Sequence, residues 1–163
     1  MKLVKLFEQF VKENLLDTRY SAGLAIVYDG KVLLGQANGR KEGTGYGIPK
    51  GGIESGESNL EAAIRETKEE FGIKVPRSLI DQSEYTFVVT SRKYKYNKVV
   101  YYYIVKLDSL SQIGLKDLKV PKNQLQREEI SKAKFMDRNE ASSVIMLSQQ
   151  SVLQKLVALG LLW

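Results

Sequence analysis

The chain contains neither cysteine nor histidine. Without cysteine there is no disulfide, no thiol nucleophile and no thiolate metal site. Without histidine, nucleophilic catalysis of the Ser-His or Cys-His kind is excluded too. Acid–base work therefore falls to carboxylates, lysine or tyrosine. Long apolar runs are also missing. No segment reaches 18 consecutive apolar residues, and the N-terminal stretch is too interrupted by charge for a signal peptide, so a cytoplasmic protein with no membrane partner is expected. There is no internal repeat, low-complexity tract or linker. A length of 163 residues, 43% of them hydrophobic, suits one domain over 1–163 with a sizeable core.

What the chain does have is an uneven distribution of charge. The formal net charge is +6, yet residues 54–70 take six of the 19 acidic residues and only two of the 25 basic ones. A basic body around an acidic patch suits a small-molecule substrate bearing a polyphosphate, and it also suits nucleic acid.

The acidic patch lies in Gly51 to Ile73, GGIESGESNLEAAIRETKEEFGI, a glycine-rich loop feeding an acid-rich helix. Ser58 with Glu61 three residues later forms a capping box, which predicts a helix starting near Asn59, and Gly72 is a natural C-terminal stop. On that helix Glu66, Glu69 and Glu70 share an arc of roughly 100°. Leu60, Ala63, Ile64, Thr67 and Phe71 occupy the adjoining arc and are expected to pack on a core. Carboxylates at i and i+4 repel one another, and a hard divalent cation would relieve them. Oxygen donors without His or Cys favour Mg²⁺, with Mn²⁺ as a substitute, over Zn²⁺. A merely solvated acidic face is the other reading of three glutamates taken alone.

The full spacing resembles the Nudix box: Gly51, Glu57, Arg65-Glu66, Thr67, Glu69-Glu70, Gly72 and Ile73 fall at the family's intervals. Only Thr67 departs, where the family usually carries an aliphatic residue, and some loss of packing is expected there. The resemblance implies a Nudix-type α/β/α sandwich with a mixed central sheet. It also implies a metal-dependent pyrophosphohydrolase that cleaves phosphoanhydride bonds. By resemblance Glu66, Glu69, Glu70 and the Gly51 carbonyl are metal ligands, and Glu69 or Glu129 is the general base. Arg65 would orient a box carboxylate such as Glu57. Pro49-Lys50-Gly51-Gly52 resembles the approach to the box in many Nudix enzymes, and Lys50 is a candidate phosphate contact.

Around the box, residues 2 to about 16 place Leu3, Leu6, Phe7, Phe10 and Val11 at helical spacing, which predicts an amphipathic helix packed on the domain. Residues 20–28 and 31–37 flank Asp29-Gly30 and read as a β-hairpin. The polar, Gly-rich segment from Asn38 to Tyr46 reads as a loop and one lip of the pocket. Residues 79–90 and 98–107 read as a second hairpin. Its Tyr94, Tyr96, Tyr101, Tyr102 and Tyr103, with Arg92, Lys93, Lys95 and Lys98, could stack on a base and meet phosphates. Residues 108–128 read as an irregular connection. Asp137 reads as the N-cap of a helix from about 138 to 145, and Ser148 as the start of another reaching about 159.

A second, shorter resemblance is to the asymmetrical diadenosine tetraphosphate hydrolases. Lys98-Val99-Val100-Tyr101-Tyr102-Tyr103 is similar to a strand in which a Lys and a Tyr face substrate, which selects Lys98 and Tyr102. Glu129, ahead of Ile130 to Phe135, matches a further glutamate near the metals, with Glu128 as its rival. Other subgroup markers are missing: no Tyr lies 16 to 18 residues past Ile73, and Val88 stands where ADP-ribose hydrolases tend to show Pro. The expected function is hydrolysis of a nucleoside or dinucleoside polyphosphate. The alternatives are pyrophosphate removal at an RNA 5′ end, hydrolysis of a diphosphoinositol polyphosphate, and a non-catalytic nucleotide- or RNA-binding module.

Overall fold

The computed structural model describes residues 2–6, 9, 17–91 and 95–163. Its framework is strand β1 (Asp17–Tyr28), whose residues Ser21 to Val27 are all buried. A strand buried on both faces must be apolar throughout, and AGLAIV is. Asp29 and Gly30, both with positive φ, turn the chain into β2 (Lys31–Ala37). This is the hairpin that Asp-Gly predicts. The two strands nevertheless pair only at Val27 with Val32 and Tyr28 with Lys31, and then part. Into the gap come β3 (Tyr46–Gly47), paired to β2, and β4 (Lys50–Gly52), paired to β1 at Ser21 to Gly23. The Leu24 N–H reaches the Pro49 carbonyl at 3.2 Å.

The other edge of β1 runs parallel to β6 (Tyr96–Leu107) over twelve residue pairs, and β6 pairs antiparallel with β5 (Tyr85–Ser91) as the second hairpin requires. Strand β7 (Ile130–Met136) closes the far side on β2. The result is a mixed seven-stranded sheet. Alternation along the strands sends side chains to two cores. Ala22, Leu24, Ile26, Tyr103 and Val105 pack under helix α1 (Asn59–Phe71) with Ala62, Ala63 and Phe71. Ala25, Val27, Tyr102 and Ile104 pack under α2 (Arg138–Val144) and α3 (Gln150–Ala158) with Ala141, Val152 and Leu156. The fold is the expected α/β/α sandwich.

Asp137 caps α2 by accepting the Glu140 N–H at 2.9 Å. Residues 108–128 form the irregular connection, with short 3₁₀ turns at Leu110–Ile113 and Lys122–Gln124. Two expectations need correction. Ser148 does not start the last helix: it lies in a 3₁₀ turn, Leu147–Gln149, and α3 begins at Gln150. Residues 2–6 are helical, but Leu3 is 84% exposed and Leu6 is 61% exposed, so they do not pack on the domain. Phe7, Phe10 and Val11 lie outside the described residues, as do Arg92, Lys93 and Tyr94. Among the described residues no helix is long and apolar enough to cross a membrane.

Candidate active site

Helix α1 starts and stops where its caps dictate. The Glu61 N–H donates to Ser58 Oγ at 3.1 Å and the Ser58 N–H donates back to Glu61 Oε2 at 2.9 Å. Gly72 then ends the helix in the left-handed conformation at φ 65°. Thr67 is fully buried, and its hydroxyl returns to the Ala63 carbonyl at 2.8 Å, which is how a polar atom is accommodated at an aliphatic site. With that edge packed, the glutamates face the glycine loop.

Arg65 organises the loop. Its Nε donates to Glu57 Oε2 at 2.7 Å and one terminal nitrogen to Glu57 Oε1 at 3.0 Å, a bidentate pair. The same nitrogen donates to the Gly52 carbonyl at 2.8 Å. The other terminal nitrogen serves Glu66 at 2.9 Å and Glu69 at 3.1 Å. The guanidinium holds the Glu57 carboxyl below its ordinary range. Part of the positive charge that three neighbouring glutamates require thus comes from within the box. Gly51 lies directly against the Glu66 carboxylate, where a Cβ would have no room.

Among the described residues Glu70 has no guanidinium partner, only the backbone and charge of Lys50. Burial, with the charges of Glu66 and Glu129 adding to it, pushes its carboxyl up to about 8, against the attraction of Lys50. Burial also raises Glu66, although Arg65 opposes this. Lys50 is pushed down to about 8, first by burial and then by the charge of Lys98. Tyr102 is 2% exposed, its ring set edge-on to Phe87 with centroids 5.8 Å apart, and burial raises its phenol.

These groups meet at the gap between β1 and β2. A cavity of about 210 Å³ is lined from both faces of the sheet, by Glu70, Lys50, Glu129, Gly47, Met146 and Gln149 among others. A second cavity of about 320 Å³ shares Lys50, Met146 and Gln149 and adds Arg40, Phe87, Tyr96, Lys98 and Tyr102. Arg40 brings the 38–46 loop to the rim. A roomier cavity of about 450 Å³ near Ile80 and Leu161 has only Asp81 and Lys106 as charged lining groups and holds none of these residues.

The structure therefore brings Lys50, Glu70, Glu129, Lys98 and Tyr102 around adjoining cavities, and holds Glu66 and Glu69 beside them on Arg65. Glu129, not Glu128, lines the site; the Glu128 carbonyl instead accepts the Asn38 side-chain amide at 3.3 Å. Among the described residues no three carboxylates are gathered as a ready-made metal cage. Sequence reasoning missed Gln149 and Met146. No motif marks them, and a Gln just ahead of an apolar helix carries no signal until the fold buries it.

The family model for the NUDIX domain matches residues 17–156. No curated protein matches the chain. Among solved structures, an Ap4A hydrolase of C. elegans in a binary complex is 24% identical with a TM-score of 0.62, covering 86% of this chain and 96% of that one. A MutT NUDIX hydrolase from Burkholderia pseudomallei is 20% identical with a TM-score of 0.65, covering 85% and 97%. A bifunctional NMN adenylyltransferase/ADP ribose pyrophosphatase from Francisella tularensis, complexed with AMP and an Mn ion, is 15% identical with a TM-score of 0.64, covering 96% of this chain and 46% of that one. These likenesses extend to the fold, while the family match spans most of the chain and includes the whole glycine loop and α1. The chain belongs to the NUDIX domain family and is a Nudix pyrophosphohydrolase.

Proposed function

We propose that the protein, acting as one domain over residues 1–163, hydrolyses a phosphoanhydride bond in a nucleoside or dinucleoside polyphosphate. The observation that carries this reading is Glu70, a half-buried carboxylate lining the cavity with Glu66, Glu129 and Lys50 near it and Lys98 next to Lys50. An all-oxygen donor set with excess negative charge fits a hard divalent cation, Mg²⁺ or in its place Mn²⁺. Glu66, Glu70, Glu69 and the Gly51 carbonyl would hold it. When bound, the ion would neutralise the pyrophosphate and acidify a water.

The chain's own residues do the rest. Lys50 and Lys98 meet phosphate oxygens. Arg65 keeps Glu57, Glu66 and Glu69 in place, a positioning role. Glu69 or Glu129 takes the proton of the attacking water, and in-line displacement at phosphorus needs no covalent intermediate. Phe87, Tyr96 and Tyr102 give the second cavity an aromatic wall suited to a nucleobase.

A second reading, removal of pyrophosphate from an RNA 5′ end, has one observation in its favour. A groove of about 310 Å³ on the other side of the 38–46 loop is lined by Lys119, Lys122, Lys132 and Lys134. Glu42 pairs with Lys132 at 2.6 Å and Glu140 pairs with Lys134. Among the described residues Lys119 and Lys122 have no carboxylate partner. No observation favours the diphosphoinositol or non-catalytic readings.

The test is a screen for phosphate and pyrophosphate release with Mg²⁺ and then Mn²⁺, over nucleoside triphosphates, diadenosine polyphosphates, ADP-ribose and 5′-triphosphorylated RNA, with the Glu70→Gln variant as blank. Turnover of a nucleotide that vanishes with chelator is expected. Cleavage of the RNA alone would move the assignment to the second reading, and no turnover on any substrate would overturn both.

A further inference from the structure

Gln149, just ahead of α3, is 2% exposed and yet lines both cavities of the site. Its Oε1 accepts the Ile48 N–H at 2.8 Å, and this bond fixes which end of the amide faces which way. The oxygen is turned to the backbone entering β4. The nitrogen lies against Gly47, where a Cβ would stand 2.6 Å from it, so this close approach needs glycine. Among the described residues Nε2 has no protein acceptor, and no buried side-chain nitrogen or oxygen is left unpartnered there, so Nε2 opens into the cavity.

A primary amide held by its oxygen offers only donors at its other end. It sits at the junction between the cavity of Lys50, Glu70 and Glu129 and the cavity of Phe87, Tyr96 and Lys98. On the reading above Lys50 and Lys98 serve the phosphates, and the neutral amide lines the cavity that holds the aromatic wall. We propose that Gln149 is a specificity-determining residue whose Nε2 donates to an acceptor atom on the nucleoside half of the substrate. The proposal rests on the nucleotide reading above and adds how the site distinguishes a nucleotide from a bare polyphosphate. A site built around a donor discriminates against ligands lacking the acceptor, because the donor is then left unpaired.

Two variants test it. Gln149→Glu keeps an acceptor for the Ile48 N–H and removes the donors, and Gln149→Met removes both without adding charge. For the best nucleotide substrate, KM should rise about tenfold in each, the scale of one lost hydrogen bond in a dry pocket, with kcat within about threefold of wild type. Binding of a non-hydrolysable methylene analogue of that nucleotide should weaken in parallel. Inhibition by inorganic tripolyphosphate, which has no nucleoside, should hold within about twofold in Gln149→Met, and a cooperative thermal melt should show that each variant is folded. Equal losses for nucleotide and tripolyphosphate, or an unchanged nucleotide KM in a folded variant, would overturn the proposal. A wild-type protein that neither binds nor cleaves nucleotides would instead overturn the reading beneath it.

Discussion

The acidic edge of α1 and the wall made by Lys50, Lys98 and Gln149 border the same opening in the sheet, but they are assembled in different ways. Glu57, Arg65, Glu66 and Glu69 fall within 13 residues, and one guanidinium ties all of them together. Lys50, Lys98 and Gln149 come from β4, β6 and the turn before α3, and tertiary packing alone brings them together. In the first region Arg65 offsets part of the charge of three glutamates. In the second, burial drives Lys50 towards the neutral form, so Glu70, between the two, is only partly compensated by it. An edge tied to one guanidinium gives a rigid platform, and Glu70 beside it is where a cation gains most.

The largest effect expected from that contrast comes from Glu70. Glu70→Gln should lower turnover by at least roughly 10²-fold, the scale of removing one preorganised charge-stabilising group, without loss of stability, since burial disfavours the charged form it removes. Steady-state rates and thermal melts decide this, and near-wild-type turnover would break the contrast at its centre.

On the platform side the effect should fall on stability. Arg65→Ala leaves Glu57, Glu66 and Glu69 facing one another and the Gly52 carbonyl without its donor, and should cost about 2 kcal/mol, moderated because the pair is partly exposed. Arg65→Lys should recover little of it, because an ammonium cannot reproduce the bidentate fork. Urea titrations of the two variants give both numbers.

The acid–base balance sharpens the same point. Between its ordinary 4.5 and about 8, Glu70 in the folded protein holds a proton that the unfolded chain has released. Metal-free stability should therefore fall as pH rises through that window, and Glu70→Gln should flatten the fall. A drop in melting temperature on the order of 5 °C from pH 5 to pH 8 in chelator, reversed by Mg²⁺ at pH 8, is expected. The smallest effect belongs to Thr67→Val, which restores an aliphatic residue and drops a back-bond to the Ala63 carbonyl. It should change stability by under about 1 kcal/mol and leave turnover alone.

Local chemistry made much of this molecule readable in advance. Ser58, Glu61 and Gly72 set the ends of α1 through contacts three and four residues apart, Asp29-Gly30 set the first turn, and Asp137 set α2. The long-range decisions were not readable. Nothing in YSAGLAIVY states that its main partner is β6, some 80 positions later, or that β2 leaves it after two residue pairs. The cavity between them follows from that parting, so Gln149 and Met146 could not be seen as site residues. Leu3 and Leu6 near the N-terminus have sound helical spacing, but spacing alone does not say whether a helix face finds a core, and both are exposed.

Strand β1 is hydrogen-bonded along both edges and covered on both faces, and this gives the molecule an internal clock for hydrogen exchange. Amides of Leu24 to Val27 can exchange only when the whole domain opens, so their rate measures global stability. The edge of α1 and the short β4 hang on that strand by fewer bonds and can open without it. A ligand entering the site should slow exchange in β4 and α1 well beyond the slowing it causes in β1, so occupancy of the site can be followed before any product is identified.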